Sequence, residues 1–403
     1  MKVYLFGAGA SNSYSHSITK VKPPLAKDFF KAYQQLKISE DRHVLIGFIV
    51  NYVRNTRGID PFDFASWNEN IENFLTEIDE LINTKEKFLK LPFEDRILFT
   101  DAYKQMLFLF TSVLNEIQNG TPCNLYASLI EHINKEDILL TFNWDCLLDR
   151  ALFETGKWSP HDGYGIEFSS FFRNGWKCYP ANNTSSNLLL KLHGSTNWLV
   201  PYFTYHFQTG EIFFSNQLIK PETCPIFCFV HSEDVYETYE NRTRKGYAPF
   251  SYYYYPPNLP IDSKVTVGGI TRVSMVSAFD LPEFGKTTIG GYPYASMPFI
   301  VPPIKNKNYN LLSNVFDKIW DLSLKALIEC NELIIIGYSF PNTDIRSWDL
   351  LYNACLKRDK PMRIVLVNPF PQEIETNIKN KLFEKCTIET IPLTFSEYIK
   401  LQK

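Results

Sequence analysis

The sequence predicts an α/β fold: a parallel sheet flanked by helices, carrying a large helical insertion and a second, aromatic-rich insertion of loops and short strands. Three observations lead there. Continuous apolar runs of strand length recur along the 403 residues, and a parallel strand buried on both faces reads as such a run rather than as an alternation. Long helical segments separate the runs, as crossovers between parallel strands require. Each run ends in a glycine, an asparagine or a polar turn, and ligands of open α/β sheets gather at those carboxyl ends.

The first strand lies near 3–9 and runs into FGAGAS. The stretch 27–135 that follows is predominantly helical, with DFASWNENIENFLTEIDELINT and EDRILFTDAYKQMLFLFTSVLNEI as its clearest amphipathic parts. It is far longer than an ordinary crossover and reads as an inserted subdomain of three to five helices. Strands near 137–145 (DILLTFNWD) and 188–193 come next. From 196 to 300 the helical period disappears into short β-like pieces and turns, which predicts a second insertion. Its four consecutive tyrosines, Tyr252 to Tyr255, suit a loop packed by its own rings or a partner surface. A helix in NLLSNVFDKIWDLSLKALIEC leads into a strand near 332–340 (ELIIIGYSF), and another strand lies near 363–369 (RIVLVNP). The core strands therefore span one unit, 1–403, that carries both insertions.

Composition narrows the function. Lys and Arg total 41 against 44 Asp and Glu, a formal net charge of −3, so direct nucleic-acid binding is not expected of this chain. The eight cysteines are scattered, several inside apolar runs, which suits buried thiols in a reducing compartment rather than a disulfide framework. Only Cys224 and Cys228 lie close together, and no CxxC pair completes a four-cysteine zinc site, so no metal is expected. No charged leader precedes a long apolar region, and no stretch approaches the roughly 18 apolar residues of a membrane span. The expectation is a cytoplasmic protein without membrane contact.

Four stretches carry the chemistry. In GAGAS, Gly7, Ala8 and Gly9 turn the chain so that backbone N–H groups could cradle a pyrophosphate, and Ser11 adds a hydroxyl. A tight strand exit explains the same residues, since Asn12 stands where the third glycine of GxGxxG would be. In TFNWD, Asn143 and Asp145 share one face of an extended segment. The alternative is that Asp145 caps the following helix and Asn143 occupies a turn. In LHGS, His193 alone among the seven histidines follows an apolar strand and precedes a turn, a position for a base near neutral pKa or for a backbone hydrogen bond. IGYSFPNTD offers Gly337 and Ser339 to a phosphate or ribose, and VNP offers the Asn368 amide to an adenosine edge.

Together, GAGAS, TFNWD, LHGS and IGYSFP, in this order, resemble the sirtuin superfamily, specifically its divergent prokaryotic sirtuin-like branch found in antiviral defence. The resemblance runs from Met1 to about Phe370 and is close only in these short stretches. It implies a Rossmann-like fold that binds NAD+ as substrate and breaks the bond between nicotinamide and ribose. It also implies that Gly7, Ala8, Gly9 and Ser11 hold the pyrophosphate. Asn143 would orient the nicotinamide ribose and a water, Asp145 would bind the nicotinamide carboxamide, and His193 would be the base. Gly337 and Ser339 would approach the phosphate or adenine ribose, and Asn368 the adenosine. Two departures matter: the zinc ribbon of protein-deacylating sirtuins is missing, and Phe142 and Trp144 add bulk around the site.

What the resemblance implies is therefore an NAD+ glycohydrolase, a regulated effector of anti-phage defence that depletes cellular NAD+. It would act as a homo-oligomer or beside a sensor such as a HerA-type ATPase or an Argonaute. An NAD+-dependent deacylase or ADP-ribosyltransferase is the alternative within the same chemistry. A non-catalytic NAD+ or ADP-ribose sensor is the alternative outside it, and it would have no use for His193.

Overall fold

The computed structural model describes residues 1–36, 47–59, 69–118, 120–156, 158–172, 176–177, 187–201, 203–206, 208–214, 220–229, 264–267, 270–273, 296–305, 307, 309, 312–341 and 344–402. Its centre is a six-stranded sheet in which every pairing is parallel. The strands are β1 (Lys2–Phe6), β2 (Ile138–Thr141), β3 (Leu188–Lys191), β4 (Glu332–Ile336), β5 (Met362–Val367) and β6 (Cys386–Ile391). In space they run β6-β5-β4-β1-β2-β3, which read from the other edge is the 3-2-1-4-5-6 order of a doubly wound sheet. The chain reverses direction across the sheet between β1 and β4, and the crevice outside their carboxyl ends is where that architecture places a ligand.

The apolar runs form strands because both faces are covered: Val3, Phe6, Leu139, Leu140, Leu333, Ile335 and Ile336 are all buried. Helices Leu147–Glu154, Val315–Glu329, Ile345–Leu356 and Gln372–Leu382 flank them. Strand β6, absent from the sequence reading, pairs only with β5. It alternates half-buried Cys386 and Ile388 with exposed Thr387 and Glu389, the pattern of an edge strand.

Each of the five expected strands stops before its expected end, and at β2 and β4 the local cause is plain. β2 stops at Thr141, whose hydroxyl takes the N–H of Asn143 at 3.0 Å and turns the backbone out of the ladder. Asn143 and Asp145 therefore sit on a loop, not on one face of a strand. β4 stops at Ile336 because Gly337 follows at φ 64°.

The described residues of 27–135 hold six helices, of which Phe93–Gln118 is the longest. That helix is long and apolar enough to cross a membrane by length and composition, contrary to the sequence expectation, but 89% of the qualifying stretch is buried inside the fold. Asp101, Lys104 and Glu116 on it are buried as well, so it is a core helix. A second, five-stranded mixed sheet, in the order 296–300, 194–201, 227–229, 170–172, 176–177, joins strands of the expected second insertion, 196–300, to strands that precede it. Tyr252 to Tyr255 lie outside the described residues. Cys123, Cys146, Cys224, Cys228, Cys330 and Cys355 are buried and unbridged.

Candidate active site

The crevice at the β1–β4 reversal opens into a cavity of about 620 Å³, a size usual for a small-molecule or cofactor site. Ala8, Gly9, Ser11, Asn143, Asp145, His193, Gly337, Ser339 and Asn368 all line it. Gly7 stands behind the wall, its carbonyl facing Asn143.

One side of the cavity is made of main chain. The Gly7 N–H donates to the Ile336 carbonyl at 3.0 Å and the Gly9 N–H to the Gly337 carbonyl at 2.9 Å. The expectation that these two amides stand open for a pyrophosphate is thereby corrected: the neighbouring loop has taken them. What the glycines provide is room for two loops to cross. A Cβ on Gly7 would fall 2.6 Å from the Tyr338 Cα, and one on Gly337 would fall 2.3 Å from the Ala10 nitrogen. Ala8 and Ser11, in the single turn Ala8–Ser11, remain on the cavity side.

Asn143 ties this loop to β2. Its Nδ2 donates to the Gly7 carbonyl and to Ser11 Oγ, both at 2.9 Å. Both amide hydrogens are thus used, and Oδ1 remains as the side-chain atom for the cavity. Two residues on, Asp145 Oδ1 accepts the N–H of Leu147, the first residue of the helix Leu147–Glu154, at 3.1 Å, one position ahead of the N-cap Cys146. Asp145 therefore tethers the helix start without being its N-cap, and it lines the cavity as well. Burial raises the Asp145 pKa, and the Lys191 ammonium opposes that rise. Lys191 is itself fully buried, donating to the Asp145 carbonyl at 2.5 Å and paired with Asp149 at 3.0 Å. Nothing in its apolar run announces this pairing, which becomes visible only when β3 is placed beside β2.

The other side is made of side chains. His193 follows β3, and Gly194, at φ 78°, lets the chain pass under the strand 296–300: a Cβ there would meet the Phe299 carbonyl at 2.4 Å. The imidazole lies between Phe142, 5.0 Å away, and Trp144, 5.4 Å away and nearly parallel. The bulk noted in TFNWD is therefore the housing of His193. Its Nε2 faces the Asp344 Oδ2 at 3.3 Å and the Tyr309 hydroxyl at 3.2 Å. Burial holds the ring below the ordinary histidine range, against the attraction of Asp344. Asp344, Tyr309 and Lys307 were not singled out from sequence. Asp344 closes the quoted IGYSFPNTD but reads as a helix cap, and an isolated Tyr or Lys in an irregular segment carries no signal.

Beyond Trp144 the wall belongs to the helical insertion. Phe110 meets Trp144 edge-on at 5.0 Å, and Phe29 packs on Phe110 at 5.6 Å. Leu114 and Ile71 extend it. At the opposite end, Ser339 is exposed and Asn368 Oδ1 accepts the N–H of Phe370 at 2.9 Å in a tight Asx turn. Phe340 is held at φ 49°, an uncommon value for a bulky residue, and marks backbone strain beside the cavity. Among the described residues no cluster of three or more His, Cys, Asp or Glu side chains is arranged to hold a metal.

No family model matches the sequence, and no curated protein matches it either. Solved structures that are similar include a Sir2 enzyme from a study of mechanism and regulation, at 11% identity and TM-score 0.36, covering 99% of this chain and 88% of that one. A serine-to-alanine mutant of a Sir2 homologue in complex with ADP-ribose aligns at 12% identity and TM-score 0.39, over 99% and 89%. A Sir2 protein bound to an inhibitor, 2'-O-acetyl-ADP-ribose and a deacetylated peptide aligns at 12% identity and TM-score 0.32, over 100% and 91%. The assignment of the fold rests on strand order and not on these likenesses.

Proposed function

We propose that this protein is an NAD+ glycohydrolase that cleaves NAD+ with water into nicotinamide and ADP-ribose. The observation that carries the reading is the convergence of Ser11, Asn143, Asp145 and His193 on one cavity at the β1–β4 reversal, together with the resemblance of the four loop motifs to sirtuins. In the reaction the C–N glycosidic bond breaks and its electron pair leaves with a now neutral nicotinamide. Water forms the new C–O bond and gives up its proton. The transition state is a sugar cation, which favours polar atoms held in place beforehand over a flexible shell. The Asn143 Oδ1, fixed by the two bonds of its Nδ2, suits the orientation of a ribose hydroxyl or the water. Asp145 suits the nicotinamide carboxamide. His193, kept neutral by burial, suits the proton acceptor.

The aromatic wall of Phe29, Phe110 and Trp144 gives the cavity an apolar lining on this side, with few polar groups to hold a peptide backbone, which favours water as acceptor. The resemblance extends the reading to a cytoplasmic effector of anti-phage defence that depletes NAD+ as a homo-oligomer or with a phage-sensing partner, such as a HerA-type ATPase or an Argonaute. Incubation with NAD+, with and without such a partner, tests the activity through release of nicotinamide and ADP-ribose. Binding with no turnover in either condition turns the reading toward a sensor. Turnover that requires an acylated peptide or a protein acceptor turns it toward a transferase.

A further inference from the structure

We propose that Asp344 is a positioning residue for His193, holding the imidazole through Nε2 and so deciding which ring nitrogen is left to accept a proton. The inference rests on the reading of His193 as the base.

The first observation is what Asp344 does not do. It occupies the N-cap of the helix Ile345–Leu356, yet its side chain makes no capping bond. A capping aspartate normally spends its carboxylate on the helix amides. This one turns away, and Oδ2 receives the Tyr338 hydroxyl at 2.8 Å and faces His193 Nε2 at 3.3 Å.

The second observation is how firmly the carboxylate is aimed. The Asp344 N–H donates to the Pro341 carbonyl at 2.9 Å, and Ser347 Oγ donates to the Asp344 carbonyl at 2.7 Å. The side chain is 2% exposed, Lys307 Nζ lies 3.7 Å from Oδ1, and Oδ1 makes no hydrogen bond. Asp344 remains ionised there: burial raises its pKa, but His193, Lys307 and the Tyr338 hydroxyl more than offset that and hold it well below the usual carboxylate range. An ionised oxygen can only accept, so the carboxylate beside Nε2 favours the tautomer that carries its proton there. In that tautomer Nδ1, which is buried and makes no hydrogen bond, keeps its lone pair.

The groups that face the imidazole then divide by sign. Asp344 and the Phe142 carbonyl favour its protonated form, while burial and Lys307 disfavour it. Tyr309 shares Nε2 and is in turn covered by Arg346, whose guanidinium carbon lies 4.4 Å from the ring centroid. Removing the Asp344 charge leaves only the disfavouring groups and the carbonyl, so the imidazole should titrate at lower pH. Removing Lys307 should move it the other way.

The experiment is an NMR titration of the histidine side chains in full-length wild type, Asp344→Asn, Asp344→Glu and Lys307→Met, with pH–rate profiles of nicotinamide release on the same proteins. His193→Ala assigns the resonance. The expected result is a lower His193 midpoint in Asp344→Asn and a higher one in Lys307→Met. Asp344→Asn should also lower kcat on the order of 10²-fold with KM changed by less than about twofold, and Asp344→Glu should restore part of both losses. If Asp344→Asn fails to fold, Asp344→Glu decides, because it keeps the charge and moves it: positioning predicts a changed His193 midpoint and a lowered kcat, and wild-type values of both overturn the inference. A His193 midpoint unmoved by either change overturns the inference while leaving His193 as base, and full activity in His193→Ala overturns both.

Discussion

The two sides of the cavity are built from different materials. On the glycine side the wall is main chain: Gly7 and Gly9 donate to the carbonyls of Ile336 and Gly337, and no ionisable group takes part in that contact. On the histidine side the wall is a set of side chains drawn from distant segments, Phe142, Trp144, His193, Lys307, Tyr309 and Asp344, with His193 and Lys307 each within 4 Å of the Asp344 carboxylate and Tyr309 on the His193 Nε2. A wall made of peptide groups keeps its shape at any pH and fails only when backbone geometry is disturbed. A wall made of charges and rings tolerates small changes of shape and responds to protons instead. The difference separates holding a ligand from acting on it.

The largest expected effect breaks the first wall. Gly337→Ala places a methyl group 2.3 Å from the Ala10 nitrogen at φ 64°. The left-handed backbone alone costs about 1–2 kcal/mol, and the overlap adds enough to make a loss above roughly 3 kcal/mol the expectation. Thermal or urea unfolding measures it, and a Gly337→Ala protein within about 0.5 kcal/mol of wild type would show that the two loops do not cross as described. Next comes His193→Ala, for which nicotinamide release should fall on the order of 10²–10⁴-fold while NAD+ binding, followed by calorimetry, persists. If binding is lost with turnover, the two walls are not separable in function.

A smaller effect concerns protons. A base must be neutral to act, and burial places His193 below the ordinary histidine range. Activity should therefore persist as pH falls through about 6.5, the ordinary value for histidine, and decline only below it. An acidic limb centred above that value would contradict the assignment.

The smallest effect lies in the helix Ile71–Ile82, whose first residues, Ile71 and Glu72, reach the cavity. Burial raises Asp79 on this helix to about 6, against hydrogen bonds from Asn83 and Tyr103. A carboxyl with a raised folded pKa binds its proton more tightly in the native state, so it contributes stability at low pH. That contribution is lost as pH rises from about 4, the unfolded value, to about 6. Relative to wild type, Asp79→Asn should gain on the order of 1–3 kcal/mol above pH 6, with the gain vanishing near pH 4. Melting temperatures of both proteins across that range would show it, and a constant difference would mean that Asp79 does not titrate there.

Much of this arrangement was legible in the sequence because parallel strands buried on both faces leave unbroken apolar runs, and the turns at their ends interrupt those runs sharply. Five of the six strands were visible for that reason. β6 was not, because an edge strand with Thr387 and Glu389 exposed lacks the run. The glycines of FGAGAS were readable as a special turn but not as a crossing, since what they approach, Gly337 and Tyr338, is more than three hundred residues away. Asp344 was hidden by its position: beside a helix start, an aspartate looks like a cap until coordinates show the carboxylate turned elsewhere. Lys191 was hidden by its neighbours, because an ammonium inside NLLLKL has no visible partner until β2 and the following helix lie against it.

The helix Phe93–Gln118 joins these regions in another way. It begins with Phe93 at the surface, 57% exposed, passes through the interior and brings Phe110 against Trp144. Its last side chain, Gln118, grips the Cys146 amide at 2.7 Å. Seventeen residues of α-helix separate Phe93 from Phe110, a rod of about 26 Å that is stiff along its axis. Phe110 on that rod packs on the indole stacked against His193, so the seating of one long helix and the placement of the imidazole belong to one continuous line of contacts.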